Sequence, residues 1–275
     1  MKNANHFIGV FDSGFGGLTI LSGIAKELPE YDYLYLGDTA RAPYGVRSQE
    51  AVYRFTRQAV SFLFSSGADL ILLACNTASS ESLRRLQQEY LPQNYPDKKI
   101  LGVLIPAAEE VVEVIHGRRV GVLATEGTVR SGAFERELKK LDPEIAVIQE
   151  ACPLLVSLVE AGEQHSEAVQ SILEDYLRPM MSEKIDTLVL GCTHYSILED
   201  KIRKIIGDEV KIVSEVRAVP PRLRDYLNRH EEFAKDLSRG GQRIFMTTGE
   251  SEKFDRVGGE FFGQPIKSEA IHLME

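Results

Sequence analysis

At 275 residues, 43% hydrophobic and 27% charged, the chain is long enough for one large α/β domain or two smaller ones and can bury a sizeable core. Its net charge of −9, from 32 Lys and Arg against 41 Asp and Glu, opposes sequence-independent binding to nucleic acid or to an anionic membrane. With no apolar run of membrane-spanning length and no leader of basic start and apolar middle, a cytoplasmic protein without membrane attachment is expected.

Residues 1–7 read as a short polar lead-in to a strand over Phe7–Phe11. From there, apolar β-branched runs alternate with stretches of helical periodicity. The spacing predicts a helix over Leu18–Leu28, a strand over Tyr33–Leu36, a helix over Glu50–Phe64 and a strand over Leu70–Ala74. A helix over Ser79–Tyr90, a strand over Ile100–Leu104, a helix over Pro106–Ile115 and a strand over Val120–Ala124 follow. Next come Arg130–Leu141 (helix), Ile145–Ile148 (strand), Glu167–Met181 (helix), Thr187–Leu190 (strand) and Ile197–Ile206 (helix). Strands over Val210–Val213 and Arg243–Met246 complete the pattern. Parallel strands need a crossover helix between them, so the alternation predicts an α/β fold of mostly parallel sheets with helices on both faces.

An internal repeat sharpens this expectation. Asp69-Leu70-Ile71-Leu72-Leu73-Ala74-Cys75-Asn76-Thr77 matches Asp186-Thr187-Leu188-Val189-Leu190-Gly191-Cys192-Thr193-His194 in pattern, at an offset of 117 (192 − 75). Ile8-Gly9-Val10-Phe11 matches Val120-Gly121-Val122-Leu123 at an offset of 112 (120 − 8), a pair short enough to arise by chance. Two pairs at nearly equal offsets suggest two similar α/β halves. Polar stretches at 92–99 and 207–209 put the boundaries at 1–97 plus 210–275 for the half carrying Cys75, and 98–209 for the half carrying Cys192.

The cysteines number three, Cys75, Cys152 and Cys192, with none of the short spacings of a structural zinc site and no even count for a disulfide framework. Cys75 and Cys192 each end an apolar strand and are followed by Asn76-Thr77-Ala78-Ser79 and Thr193-His194-Tyr195-Ser196. Ligands in open α/β sheets bind beyond the carboxyl ends of strands, where helix N-termini also favour a thiolate. Taken singly, a strand-end cysteine reads more readily as a core residue. The same polar tail at two repeat-related positions tips the reading toward chemistry. Cys152, in the apolar run before Pro153-Leu154-Leu155-Val156, reads as structural.

Other candidates stand at strand ends. Asp12-Ser13-Gly14-Phe15-Gly16-Gly17 follows the first strand with glycines that allow close backbone approach, though a plain strand-to-helix turn is an equal reading. Asp12 could orient an ammonium group or assist a thiol. The loop 37–45 would present Tyr44 between Pro43 and Gly45, and a simple β-turn explains it equally well. His194, two residues after Cys192, could polarise that thiol or be a satisfied structural group. Glu150 follows the strand Ile145–Ile148 and could line the cleft, solvation being its default.

Together, D-S-G-F-G-G (12–17), G-D-T-A-R-A-P-Y-G (37–45), C-N-T-A-S (75–79) and G-C-T-H-Y (191–195) resemble the glutamate racemases, as do L-A-T-E-G-T (123–128) and E-A-C-P-L (150–154). The motifs span most of the chain in the family's order. Aspartate and hydantoin racemases share the paired cysteines, but the P-Y-G and G-C-T-H-Y runs look like the glutamate branch; an aspartate-type racemase is the alternative. The resemblance implies two domains about a pseudo-twofold axis with glutamate in the cleft between them. It also implies a homodimer and D-glutamate destined for peptidoglycan. Cys75 and Cys192 match the two catalytic thiols, and Asp12, Glu150 and His194 the residues that assist them. Ser13, Tyr44, Gly45, Asn76, Thr77 and Thr193 match substrate-holding positions, as do Asp12 and His194. The chain departs from the family at Ser196, where Pro is usual, and over 213–221, where Val213-Ser214-Glu215 replaces a small-residue start.

The chemistry explains the residue types. Inverting an α-carbon removes a proton from one face and returns one to the other, which two groups on opposite faces achieve and a single fixed base does not. A thiol, with an unperturbed pKa of about 8.5, can be tuned so that both its forms are accessible. No pyridoxal-lysine motif and no cluster of metal-ligating carboxylates is visible in the sequence, so no cofactor is expected. Preorganised donors around the α-carboxylate would then stabilise the carbanion-like state. Two rival readings are a cysteine hydrolase using Cys192 with His194, which leaves Cys75 idle, and a binding protein that uses the cleft without catalysis.

Overall fold

The computed structural model describes residues 6–273, so residues 1–5 of the expected polar lead-in lie outside it. Its strands are β1 (Phe7–Asp12), β2 (Tyr33–Gly37), β3 (Ala68–Leu73), β4 (Lys99–Gly102) and β5 (Arg119–Ala124). They continue as β6 (Ala146–Ala151), β7 (Thr187–Gly191), β8 (Lys211–Ser214), β9 (Arg243–Thr247) and β10 (Ser268–Ala270). One sheet has the order β10-β9-β2-β1-β3-β4 and the other β6-β5-β7-β8, with every pairing parallel. The reason is in the strands: β1 and β7 are buried along their whole length, as strands covered by helices on both faces must be. Side chains alternate across the first sheet, Ile8 and Val10 entering a core that runs on into the second sheet, Phe7 and Phe11 entering a smaller core on the opposite face.

The repeat is real in three dimensions. β2-β1-β3-β4 and β6-β5-β7-β8 have the same order, and the same register: Gly9 faces Ile71 across β1 and β3, and Gly121 faces Leu188 across β5 and β7. The 112- and 117-residue offsets carry one pair onto the other. The sheets exchange the chain later than the polar stretches suggest. β4 belongs to the first sheet and β8 to the second, so the changeovers fall after Gly102 and after Ser214 rather than at 97/98 and 209/210. Polar residues at 92–99 mark a surface connection within one sheet, because exposure of a loop does not by itself end a core.

Three departures from the periodicity bear on the site. The helix Asn76–Arg85 begins directly after Cys75, three residues before the predicted start, with a π-helical turn over Leu86–Tyr90. The helix expected over Arg130–Leu141 is two, Glu126–Ser131 and Ala133–Leu141, parted by Gly132 at φ 61°. The helices Leu155–Glu160, Glu215–Arg229 and Ser251–Phe262 carry no sequence prediction. Pro220 and Pro221 disguise the second: Pro220 cannot bond the Val216 carbonyl, and that gap is packed against Gly23 of the helix Gly17–Glu27.

Candidate active site

The central strands of each half, β1 and β3, β5 and β7, end on one side, and the residues that follow them meet there. Cys75 and Cys192 line one small cavity, together with Ser13, Tyr44, Gly45, Asn76, Thr77, Thr193 and His194. Two thiols 117 positions apart in sequence thus face one space because each half repeats the same topology.

Cys75 caps the helix Asn76–Arg85: its Sγ accepts from Ala78 N at 3.4 Å and lies 3.4 Å from Ser13 Oγ. These donors favour the thiolate, as the sequence suggests, but burial outweighs them. Burial, then the Asp12 carboxylate, pushes the Cys75 thiol up to about 11. Burial raises Cys192 well above its ordinary value too, with only the His194 backbone N–H opposing it. Both sulfurs therefore rest as thiols near neutral pH, which corrects the expectation of thiolates favoured by helix ends. Each needs a neighbour to take its proton.

Those neighbours differ. Asp12 ends β1 fully buried, Oδ2 accepting from Gly14 N at 2.9 Å and Oδ1 without a partner among the described residues. It is not among the cavity-lining residues, and its carboxylate is felt by Cys75; burial raises its pKa. On the other side, His194 Nδ1 lies 3.8 Å from Cys192 Sγ, and His194 Nε2 lies 3.0 Å from Glu160 Oε1. Phe261 closes edge-on against the imidazole, with ring centroids 5.6 Å apart. Cys192, His194 and Glu160 form a chain of contacts in which a carboxylate accepting from Nε2–H would make Nδ1 an acceptor, shared between the thiol and Thr193 Oγ1 at 3.4 Å.

Glu160 escaped the sequence reading, which expected Glu150 in this role. β6 runs on through Ala151, so Glu150 lies within an edge strand, half-buried beside Cys152 and away from both cavity thiols. Glu160 ends the helix Leu155–Glu160, whose buried positions are a single i, i+4 pair, Leu155 and Val159, too little periodicity to announce the helix. Thr125 and Val156 also line the cavity unpredicted. Cys152 is buried, its Sγ 3.7 Å from Glu150 O, and stays outside the cavity as the sequence reading has it.

The remaining walls are held by polar contacts. Tyr44 donates to Asp38 Oδ2, and Arg41 Nε and Thr248 Oγ1 bond the same carboxylate at 2.7 Å each, so the P-Y-G loop is fastened from below. Thr77 Oγ1 meets Thr125 Oγ1 at 2.8 Å, joining the two halves. Asn76 is buried at the cavity wall, and neither of its amide atoms has a close hydrogen-bond partner among the described residues. At Gly16, a Cβ would collide with Thr193 Oγ1 and stand 2.7 Å from His194 Nδ1, so the Ser13–Gly17 turn approaches the Cys192 side as only glycine permits.

Known proteins share this arrangement. The family model for Asp/Glu/hydantoin racemases matches residues 12–219. The chain is 41% identical over 256 residues to the glutamate racemase of Geobacter metallireducens, covering 93% of this chain and 92% of that one. Its structure is similar to glutamate racemase isoform RacE1 of Bacillus anthracis, with a TM-score of 0.90 and 34% identity over 98% of this chain and 99% of that one. It is similar as well to the Francisella tularensis glutamate racemase solved in complex with D-glutamate, with a TM-score of 0.88 and 31% identity over 98% of each chain. By sequence, fold and the order of its motifs, the chain belongs to the Asp/Glu/hydantoin racemase family, in its glutamate racemase branch.

Proposed function

We propose that this protein interconverts L- and D-glutamate by passing one proton in and one proton out across the α-carbon, between Cys75 and Cys192. One sulfur, as thiolate, takes the α-hydrogen as a proton. The C–H electron pair stays on the carbon and spreads into the α-carboxylate, and the opposite thiol delivers its own proton to the other face, becoming thiolate in turn. Asp12 accepts and returns the proton of Cys75, and His194, oriented by Glu160, does so for Cys192. Ser13, Asn76, Thr77, Thr193 and the backbone N–H groups at the helix start after Cys75 supply donors for the carboxylate charge that grows in the transition state. Tyr44 and Gly45 shape the wall and exclude water.

One observation supports the reading above the others: two thiols on repeat-related strands line the same cavity in a chain of this family. It also disfavours the hydrolase reading, which leaves Cys75 without work. The same proposal makes the protein a cytoplasmic homodimer that supplies D-glutamate to peptidoglycan, with three unpaired cysteines suited to a reducing compartment. No helix of the described residues is long and apolar enough to cross a membrane.

The test is incubation with L- or D-glutamate in D2O, without added pyridoxal phosphate. Optical rotation is expected to decay to zero while deuterium enters the α-carbon. Cys75→Ser and Cys192→Ser are each expected to lose racemisation in both directions, while each retains exchange of the α-hydrogen from one enantiomer, a different one in each variant. Racemisation without deuterium uptake, or full activity in either variant, refutes the two-thiol reading.

A further inference from the structure

Glu215 opens the helix Glu215–Arg229, in the 213–221 run where the sequence departs from its family, and is 1% exposed. Its Oε1 has no hydrogen-bond partner among the described residues. Its carboxyl abuts the side-chain amide of Asn76, whose own two polar atoms are unpartnered and which lines the cavity. A buried carboxyl, held otherwise by its own backbone N–H, thus neighbours a buried amide at the cavity wall.

We propose that Glu215 is a positioning residue that sets which end of the Asn76 amide faces the substrate, and that its protonation state reverses that setting. The inference rests on the proposed role of Asn76 as a donor to the substrate carboxylate. A protonated carboxyl donates to Asn76 Oδ1 and leaves the NH2 toward the cavity, where it can donate to a carboxylate. An ionised carboxylate accepts from the Asn76 NH2 instead, turning Oδ1 toward the cavity, where it repels the substrate.

The surroundings hold the switch in a useful range. Burial raises the Glu215 carboxyl to about 8, its own backbone N–H and Asn76 lower it, and Glu110 on the helix Leu104–Val114 raises it further. Cys192, after β7, is the other titratable group that feels this carboxyl. The helix Gly17–Glu27 meets the start of this helix through Gly23, against Val216 and Pro220, with no charge of its own at that contact. Glu215 is thus neutral at pH 7 and ionises in mild alkali.

The experiment compares KM and kcat for D-glutamate from pH 6.5 to 9.5 in the wild-type protein and in Glu215→Gln, whose amide does not titrate in this range. With the competent form one-tenth populated at pH 9, the wild-type KM is expected to rise about tenfold from pH 7 to 9. In Glu215→Gln that rise is expected to vanish. Other titrating groups, the substrate ammonium included, are common to both proteins, so the difference isolates Glu215. Glu215→Leu, which removes the donor, is expected to raise KM at pH 7 by a similar factor and to leave the fall of kcat smaller than the rise of KM. Parallel KM profiles for wild type and Glu215→Gln overturn the inference while leaving racemisation standing; failure of the wild type to exchange the α-hydrogen in D2O defeats the underlying reading as well.

Discussion

A thiol raised to about 11 is a poor base until something near it accepts a proton, so the residues behind the sulfurs matter as much as the sulfurs. On the Cys192 side that acceptor is an imidazole held by a carboxylate at 3.0 Å. Glu160→Gln keeps a hydrogen-bond acceptor for His194 Nε2 but removes the charge that stabilises an imidazolium. General-base assistance of this kind is worth roughly 10²- to 10⁴-fold, so kcat/KM is expected to fall on the order of 10²-fold. The fall must be equal for L- and D-glutamate, because the equilibrium constant of a racemisation is one. Glu150→Gln, on the edge strand, is expected to change kcat/KM less than about threefold, as surface substitutions away from a site do. Steady-state kinetics of the two variants decides between the carboxylates, and equal losses in both would remove Glu160 from the relay.

At the scale of elements, nine of the ten described strands were legible because buried parallel strands carry unbroken apolar runs such as Leu70–Ala74 and Thr187–Leu190; the short edge strand Ser268–Ala270 carries none. The thiols were legible for the same reason, since each ends such a run. What stayed hidden was carried by helices whose periodicity is short or interrupted. Leu155–Glu160 has six residues, too few for a pattern to declare itself, and with it went Glu160. Glu215–Arg229 holds two prolines that read as a break, and with it went the carboxyl behind Asn76. The Ser13–Gly17 turn lies between these cases: its glycines announce close approach without naming what is approached. Gly16 has φ −58°, which alanine adopts freely, so Gly16→Ala leaves the helix Gly17–Glu27 able to form. Its Cβ, however, forces Thr193 and His194 aside. A displacement near 1 Å at a reacting group costs on the order of 10²-fold, and kcat/KM is expected to drop by that factor with the circular dichroism spectrum unchanged. Wild-type kinetics in this variant would mean the turn and the Cys192 tail are not in contact.

For the whole molecule the question is how glutamate reaches thiols that are 5% and 6% exposed. The two halves are joined along two kinds of seam. On one, the helix Glu215–Arg229 packs against both Gly17–Glu27 and Leu104–Val114, within an apolar core continuous across both sheets. On the other, the contacts are polar: Thr77 with Thr125, Gly127 N to Gly45 O at 2.8 Å, and Arg130 Nη2 to Glu81 Oε1 at 2.7 Å and Arg47 O at 2.8 Å. Separating apolar surfaces costs about 25 cal/mol per Å², whereas hydrogen bonds opened to water are replaced at a net cost of about 1 kcal/mol each. The halves are therefore expected to part along the polar seam and pivot on the apolar one. Arg130 makes two of these contacts, and its half-exposed guanidinium limits its tie to Glu81 to about 1 kcal/mol after screening. Losing it in Arg130→Ala is expected to raise the open population roughly fivefold. Alkylation of Cys75 and Cys192 by iodoacetamide, followed by peptide mass spectrometry, is expected to quicken by that factor for both thiols together. The uncoupled Cys152, buried outside the cavity, serves as the internal control. If Cys152 quickens alongside them the substitution has loosened the fold as a whole, and if none of the three does, entry follows another route.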